Sequence, residues 1–313
     1  MKKLPLADTG QEVSGLCMGA LYYGTKTDQK TSFKLLDTFL ERGGNFIDSA
    51  NMYAHWIADK YTGGESETML GRWLQERKNR DRVFLTSKVG IPYVGVEGGL
   101  KPHQIAEECE KSLKRLGTDR IDLYYAHTDD RDTPMEGYLE AFDMLVRQGK
   151  VRVIGASNFE AWRFSEALML SQTRGWARFK AIQQRYSYLR PKPGWKNGRQ
   201  LAITPELINC CAHHGITILA YSSQLYGYYA NRGKQFEDGF RGADFDLRLK
   251  AIDVVAAIAV ALAWLMQSDP PVIPVFASSN LAQLEQTLSS LDIRLSQDQM
   301  QRLNSAGGWD PVV

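Results

Sequence analysis

The sequence predicts an α/β fold, specifically a single (β/α)8 barrel, from three observations. Short apolar runs rich in β-forming residues alternate eight times with amphipathic segments, as in βαβ units of a parallel sheet. No G-x-G-x-x-G pattern follows the first run, where Gly15-Leu16-Cys17-Met18-Gly19 stands, which argues against the doubly wound alternative. No linker or charge block divides the 313 residues, so we expect one domain over 1–313.

Eight short apolar runs, four to seven residues long, are expected to form strands. They are Ser14–Gly19, Asn45–Asp48, Val83–Lys88, Ile121–His127, Val151–Ser157, Ala181–Gln184, Ile216–Tyr221 and Val272–Phe276.

Helices are expected between and after these strands, near 28–43, 65–77, 102–116, 135–148, 159–170, 204–214, 248–267 and 280–290. The third illustrates the reasoning. Pro102 suits a first helical position, Ile105, Cys109 and Leu113 repeat at helical spacing, and Gly117 suits the helix end. The resulting apolar stripe is expected to pack on a barrel.

Composition excludes several classes of protein. Lys and Arg number 38 against 36 acidic residues, a net charge of +2, which is no electrostatic signature for nucleic acid or an anionic membrane. The apolar run 254–266 is too short to cross a bilayer and is expected to be a buried helix. The N-terminal residues carry no apolar stretch of signal-peptide length, so a cytoplasmic location is expected.

The cysteines indicate reduced thiols rather than a metal site. None of Cys17, Cys109, Cys210 and Cys211 has CxxC spacing. The 210–214 cluster, which adds His213 and His214, is too crowded on one helix for all its side chains to converge on one ion. We therefore expect no metal.

Four polar side chains at or near strand ends are the candidates for chemistry. In a parallel barrel the catalytic groups lie at the carboxyl ends of the strands, where Asp48, Lys88 and His127 close runs two, three and four and Tyr53 follows in a loop. Any one of them alone is more often a cap or a solvated charge. Together they can serve proton transfer to a carbonyl.

The chemistry requires a phenol made acidic. A tyrosine with its ordinary pKa near 10 is a weak acid, but a neighbouring ammonium such as Lys88 should lower that pKa. Asp48 can keep the lysine charged and positioned, and His127 can orient the carbonyl or share the proton. The hydride has to come from a cofactor, because no side chain donates one.

The stretch Gly43-Gly44-Asn45-Phe46-Ile47-Asp48-Ser49-Ala50-Asn51-Met52-Tyr53 resembles the aldo-keto reductase signature. The resemblance covers nearly the whole chain. Further blocks in family order are Gly64-Glu65-Ser66-Glu67-Thr68-Met69-Leu70-Gly71, Thr86-Ser87-Lys88, Ser112 through His127 and Gly149 through Asn158.

The resemblance implies a role for each matching residue. Asp48, Tyr53, Lys88 and His127 match the catalytic tetrad, with Tyr53 as general acid and base. For the cofactor, Ser157, Asn158 and Gln183 match the residues that bind the nicotinamide carboxamide, and Tyr221 matches the aromatic residue that stacks on the ring. Tyr221 could also be an ordinary core aromatic. Other implied cofactor positions are Gly19, Ala20, Ser222, Leu225, Gly227, Ser278, Ser279, Gln283 and Gln286.

The adenine end departs from the family pattern. Ala277 and Gln283 stand where many members carry basic residues for the 2′-phosphate of NADP, and Gln286-Thr287 replaces the usual Glu-Asn pair. Ser278, Ser279 and helix N–H groups can still bind a phosphate. The expected cofactor is NADP(H), with NAD(H) as the alternative. A second departure is a missing turn within 249–266, which should shorten or reshape the helix before strand eight.

The substrate pocket is expected to contain Tyr22 and Trp56, with further aromatic residues at Tyr23, Tyr226 and Tyr228. Segment 189–201 adds polar and cationic groups that suit a small polar or anionic carbonyl, for example a sugar-derived one. The alternative is that they are ordinary solvated loop residues. These groups are Arg190, Lys192, Trp195, Lys196 and Arg199.

Two classes of function stay open at this point. One is a reductase of aldehydes or ketones, or the same site run in reverse as a polyol or aldose dehydrogenase. The other is a nicotinamide-nucleotide-binding regulatory subunit with slow turnover, similar to the potassium-channel β-subunits. A barrel hydrolase is weaker, because neither metal ligands nor paired carboxylates cluster at strand ends. The expected partner is a small carbonyl compound, and the sequence does not determine the oligomeric state.

Overall fold

The computed structural model describes residues 1–231, 241–242, 244–252 and 256–307. Its centre is a closed parallel barrel in which each strand pairs with the next and the eighth pairs with the first. The strands are β1 (Cys17–Gly19), β2 (Phe46–Asp48), β3 (Phe84–Val89), β4 (Ile121–Ala126), β5 (Val151–Ser157), β6 (Phe179–Arg185), β7 (Thr217–Tyr221) and β8 (Val272–Phe276). The predicted (β/α)8 barrel is confirmed.

Helices surround this barrel and shield its outer face. They are α1 (Gln29–Glu41), α2 (Glu65–Arg77), α3 (Pro102–Leu116), α4 (Met135–Arg147), α5 (Ala161–Arg174), α6 (Pro205–His214), α7 (Phe245–Ala251), α8 (Ala257–Met266), α9 (Leu281–Leu288) and α10 (Gln297–Ser305). Within the described ranges, no helix is long and apolar enough to span a bilayer.

Helix α3 shows how local sequence sets these boundaries. Pro102 occupies the first turn, where its missing N–H removes no helical hydrogen bond. Gly117 ends the helix with φ of 62°, and its N–H bonds back to the carbonyl of Leu113. Ile105 and Cys109 are fully buried against the barrel, as the periodicity predicts.

Two layers of apolar side chains form the core. The outer layer lies between helices and strands and contains most of the buried aliphatic residues. The inner layer fills the barrel with alternate strand residues, among them Phe46, Phe84, Leu123 and Leu219. Leu6 belongs to this inner cluster, so the N-terminal segment closes the barrel floor.

The predicted start of the first barrel strand is wrong. Residues 14–19 were expected to form one strand, but Glu12–Ser14 pairs antiparallel with Lys3–Pro5, and the barrel strand begins only at Cys17. The Ser14 hydroxyl accepts hydrogen bonds from the N–H groups of Asn45 and Phe46, which joins this hairpin to the barrel. The strands β5 and β8 have the expected bounds, and the other strand ends agree with expectation to within two residues.

The predicted helix over 248–267 is also wrong as a single element. Helix α7 ends at Ala251, and the next residue, Ile252, has a non-helical φ of −102° and ψ of 12°. Helix α8 begins at Ala257. Residues 253–255 lie outside the described part. The missing turn therefore leaves two helices rather than one. A short hairpin, Lys196–Asn197 with Gln200–Leu201, and helix α10 were not anticipated.

Candidate active site

The four candidate catalytic residues meet at the carboxyl end of the barrel. Asp48 ends β2, Lys88 lies in β3, and His127 directly follows β4. The Lys88 ammonium donates to Asp48 Oδ2 over 2.5 Å and to the Tyr53 hydroxyl over 2.6 Å. The Tyr53 and His127 rings lie edge to face with centroids 5.9 Å apart. Parallel strands in register thus bring residues far apart in sequence to one point.

Each carboxylate oxygen of Asp48 accepts two hydrogen bonds. Its Oδ2 accepts from Lys88 and, over 3.2 Å, from the Tyr53 hydroxyl, whereas its Oδ1 accepts from Thr86 Oγ1 at 2.7 Å and Gln183 Nε2 at 3.0 Å. The carboxylate is 1% exposed, so these bonds replace hydration. Its orientation, and with it that of the lysine, is therefore fixed from both sides.

The electrostatics of Tyr53 differ from the sequence-based expectation. Lys88 was expected to lower the pKa of the phenol, but burial, followed by the nearby Asp48 carboxylate, raises it well above its ordinary value. Burial also lowers the pKa of Lys88, with Asp48 opposing that effect. The phenol therefore holds its proton at neutral pH, and the Lys88 ammonium donates a hydrogen bond to its oxygen.

His127 is a neutral imidazole in this setting. Burial, and then the Lys88 charge, lower its pKa well below the ordinary 6.5. Its backbone N–H bonds to the carbonyl of Val89, which holds it above β3. A neutral imidazole can donate one hydrogen bond to a carbonyl oxygen without delivering a full charge.

The residues expected at the nicotinamide carboxamide lie together at the ends of β5, β6 and β7. The Asn158 amide is engaged within the protein: its Nδ2 donates to the His127 carbonyl and to Ser157 Oγ, both over 3.0 Å. Its Oδ1 accepts from the Leu201 N–H at 3.1 Å and the Tyr221 hydroxyl at 2.8 Å. The Asn158 amide therefore has less hydrogen-bonding capacity left for a carboxamide than Ser157, whose hydroxyl accepts from Asn158 and can still donate.

Other expected cofactor positions are built into the structure in different ways. The Ala20 N–H donates a hydrogen bond to the Asp48 carbonyl over 2.8 Å, and the Ala20 carbonyl accepts one from Ser66 Oγ at 2.8 Å. The backbone of Ala20 therefore stabilises the site rather than presenting free groups to a ligand. Gly19 adjoins β8 so closely that an added Cβ would lie 3.2 Å from the Phe276 carbonyl oxygen.

The segment after β7 adopts an unusual backbone conformation. Ser222, Leu225 and Gly227 have φ of 54°, 46° and 82°. Left-handed conformations are uncommon for residues with a Cβ and occur where surrounding structure imposes them. Leu225 is nevertheless buried, at 2% exposure. The segment is thus shaped by more than local preference, as a ligand-covering turn would be.

The region expected to bind the adenine end of the cofactor contains neutral side chains around the start of α9. Asn280 caps the helix by accepting from the Gln283 N–H at 2.9 Å. Gln283 Oε1 accepts from both the N–H and the hydroxyl of Ser279. Ser278 is buried and Gln286 is exposed on α9. These groups can hydrogen-bond a phosphate or a hydroxyl, and none of them carries a charge.

The predicted pocket aromatics divide into exposed and buried residues. Trp56 is 49% exposed, Tyr226 is 55% exposed, and Tyr22 is half-buried. Tyr23 and Tyr228 are not pocket residues, and their assignment was wrong. Tyr23 is 1% exposed with its hydroxyl on Met18 Sδ, and Tyr228 is 5% exposed against Phe245.

Segment 189–201 borders a cavity of about 990 Å³ between the starts of α5 and α6. Four of its five expected residues line the cavity; Arg199 lies exposed in the adjoining hairpin. Trp195 is 7% exposed, and the Arg185 guanidinium lies 4.5 Å from the centre of its ring. Lys196 pairs with Glu160 at 3.0 Å. The four residues are Arg190, Lys192, Trp195 and Lys196.

The sequence analysis did not identify two residues at the site, Thr86 and Glu108. Thr86 lies two positions before Lys88 on β3 and therefore on the same strand face, a period-two signal that could have identified it. Glu108 lies on the buried stripe of α3 and accepts from Asn51. A carboxylate on an apolar stripe, one residue from Cys109, was the signal for that contact.

Comparison with known proteins agrees with this architecture. The model of the Aldo/keto reductase family matches residues 15–307. The chain is 31% identical to the uncharacterized oxidoreductase YrpG of Bacillus subtilis, over 96% of this chain and 94% of the relative. It is 30% identical to the norsolorinic acid reductase stcV of Emericella nidulans, over 98% and 81%, and 29% identical to the aldo-keto reductase ausK of that species, over 96% and 80%. This chain belongs to the aldo/keto reductase family of oxidoreductases.

Proposed function

We propose that this protein is an NADPH-dependent reductase of aldehydes or ketones in which Tyr53 donates the proton. The observation that carries the proposal is the bonded set formed by Lys88, Asp48 and Tyr53, with the ammonium within 2.6 Å of the phenol oxygen. A nicotinamide cofactor supplies the hydride when bound. Ser157, Gln183, Tyr221 and the turn containing Ser222 are the residues proposed to hold it.

The chain's own residues supply the proton and its control. The carbonyl oxygen gains negative charge as hydride reaches its carbon, and the Tyr53 O–H donates its proton to that oxygen. Lys88 stabilises the phenolate left behind, and Asp48 keeps Lys88 in place. His127 is proposed to orient the carbonyl as a neutral donor. Solvent then restores the phenol proton.

The exposed aromatics Trp56 and Tyr226, together with Tyr22, support a carbonyl attached to a flat or sugar-like body, since both stack on aromatic rings. The neutral adenine end supports weak discrimination between NADPH and NADH. The same residues support the reverse reaction, because a tyrosine that donates a proton in reduction accepts it in oxidation.

The test is the 340 nm absorbance of NADPH, and separately NADH, with purified protein and a carbonyl panel. The panel contains aliphatic and aromatic aldehydes, aromatic ketones, sugar-derived carbonyls and norsolorinic acid, the compound in the name of the Emericella nidulans relative stcV. NADP⁺ with polyols and aldoses tests the reverse direction. Oxidation that depends on a carbonyl supports the proposal. Cofactor binding without turnover across both panels would overturn it and favour a nucleotide-binding regulatory subunit.

A further inference from the structure

Glu108 is a buried carboxylate that lies outside the catalytic tetrad. It belongs to α3 and is 2% exposed. Its Oε2 accepts from Asn51 Nδ2 at 2.8 Å and from the Tyr93 hydroxyl at 2.6 Å, and its Oε1 accepts from Lys111 Nζ at 2.8 Å. A carboxylate so placed is costly unless it is bonded, and two of these three donors come from loops at the active-site end.

Asn51 connects this carboxylate to the catalytic turn. It is fully buried and lies between Asp48 and Tyr53 in the chain. Its backbone N–H donates to the carbonyl of Lys88 at 3.3 Å, and two residues later the Tyr53 N–H donates to the carbonyl of Ala50 at 3.4 Å. The side-chain amide of Asn51 thus anchors the turn that contains Tyr53 to Glu108. The backbone N–H of Asn51 joins the same turn to Lys88.

Tyr93 connects the same carboxylate to the loop after β3. Its ring packs against the backbone of Gly63, where an added Cβ would lie 2.5 Å from the ring. Gly63 also has φ of 99°, which favours glycine. Gly63 ends the loop that contains Trp56, so Tyr93 lies between that loop and α3. One carboxylate therefore bonds to a residue of the loop after β2 and to a residue of the loop after β3.

We propose that Glu108 is a positioning residue of this active site: through Asn51 and Tyr93 it holds the turn that directs Tyr53 toward Lys88. The proposal rests on the reductase function above. Displacing a reacting group by about 1 Å can lower turnover about a hundredfold, so a residue of this kind affects kcat without touching the substrate.

The experiment compares kcat, KM and melting temperature for Asn51→Ala, Glu108→Ala and Glu108→Gln. We expect the two alanine variants to lose kcat by about 10- to 100-fold with little change in the KM for NADPH. Glu108→Gln should retain kcat within about threefold, because one amide oxygen can replace Oε2, which accepts from both Asn51 and Tyr93. The half-exposed Lys111 can then turn toward solvent.

Cys109→Ala is the matched control for stability. Cys109 is the next residue of α3 and is also fully buried, so its truncation should lower the melting temperature without lowering kcat. The double variant Asn51→Ala/Glu108→Ala should lose no more kcat than the worse single variant, because each single variant already removes the hydrogen bond between Asn51 and Glu108. Additive losses, or kcat losses in Cys109→Ala equal to those in Glu108→Ala, would overturn the proposal.

A crystal structure of Asn51→Ala gives a readout that does not depend on turnover. We expect the distance between Tyr53 Oη and Lys88 Nζ, 2.6 Å here, to lengthen beyond hydrogen-bonding range. An unchanged distance would overturn the proposal even if wild-type turnover is high. If the wild-type protein turns over no carbonyl but the distance still lengthens, the reductase function fails while the positioning of Tyr53 by Asn51 stands.

Discussion

Gln183 donates a hydrogen bond from Nε2 to Asp48 Oδ1 over 3.0 Å. A residue expected to bind the cofactor is therefore bonded directly to a residue of the proposed catalytic tetrad. A primary amide has two N–H donors and a carbonyl acceptor, so this bond leaves Oε1 able to accept from a carboxamide N–H. One side chain can thus serve both the orientation of Asp48 and the proposed orientation of the nicotinamide.

Tyr53→Phe should abolish proton donation while leaving cofactor binding intact. General acid catalysis contributes about 10²- to 10⁴-fold, so we expect kcat to fall by that range. Stopped-flow or steady-state measurement at 340 nm gives kcat, and fluorescence titration gives the Kd for NADPH. A variant with near-normal kcat would exclude Tyr53 as the acid.

Lys88→Met should lose both turnover and stability. The Asp48 carboxylate would lie buried without its charged partner, and breaking a buried pair from one side costs about 3–5 kcal/mol. The phenolate formed during reduction would also lack its donor. Denaturant unfolding measures the first effect and 340 nm assays the second. Full activity in this variant would contradict the role given to the Lys88–Tyr53 bond.

His127 predicts a pH dependence of stability. Its folded-state pKa is lowered by burial, so below about pH 6.5 the unfolded chain binds a proton that the folded chain does not. The free energy of unfolding should therefore fall as pH decreases below 6.5, and less steeply in His127→Gln. Urea unfolding of both proteins at pH 5, 6, 7 and 8 measures the difference. Parallel pH profiles for the two proteins would show that His127 is not responsible.

Gln283→Arg should increase the preference for NADPH. Gln283 is exposed at the first turn of α9 beside Ser279, where an arginine could pair with a 2′-phosphate. We expect the Kd for NADPH to fall by about tenfold, the effect of about 1.4 kcal/mol, with the Kd for NADH nearly unchanged. Gln286→Arg, on the same helix, is the comparison. An equal decrease in the Kd for NADH would show that the adenosine binds away from Gln283.

Gly71→Ala tests packing between α2 and α3. Alanine favours helices, yet its Cβ would lie 2.3 Å from the Arg115 carbonyl oxygen, so we expect a loss of about 1–3 kcal/mol. Gly137→Ala is the control, because its Cβ would meet only Pro102 Cγ at 3.5 Å. That variant should be neutral or slightly more stable. Thermal unfolding of both would decide whether the close helix contact requires glycine.

The alternating apolar and amphipathic segments determined the barrel by themselves, because strand and helix periods are local properties of the chain. Strand-end polarity also selected Asp48, Lys88 and His127, and the order of the motifs indicated the family. The breadth of that pattern explains why the fold could be predicted despite the missing turn near 249–266.

Tertiary structure alone decided how those groups behave. Burial raises the pKa of Tyr53 against the effect expected from Lys88, and burial depends on all eight strands. The bonds of Asn158 to Tyr221 and of Glu108 to Asn51 join segments 63 and 57 residues apart. Tyr23 and Tyr228 lie in the core rather than the pocket because the fold, not residue type, sets which side of a loop faces solvent. Local sequence specifies elements, but hydrogen-bond partners and dielectric surroundings arise only when distant elements pack together.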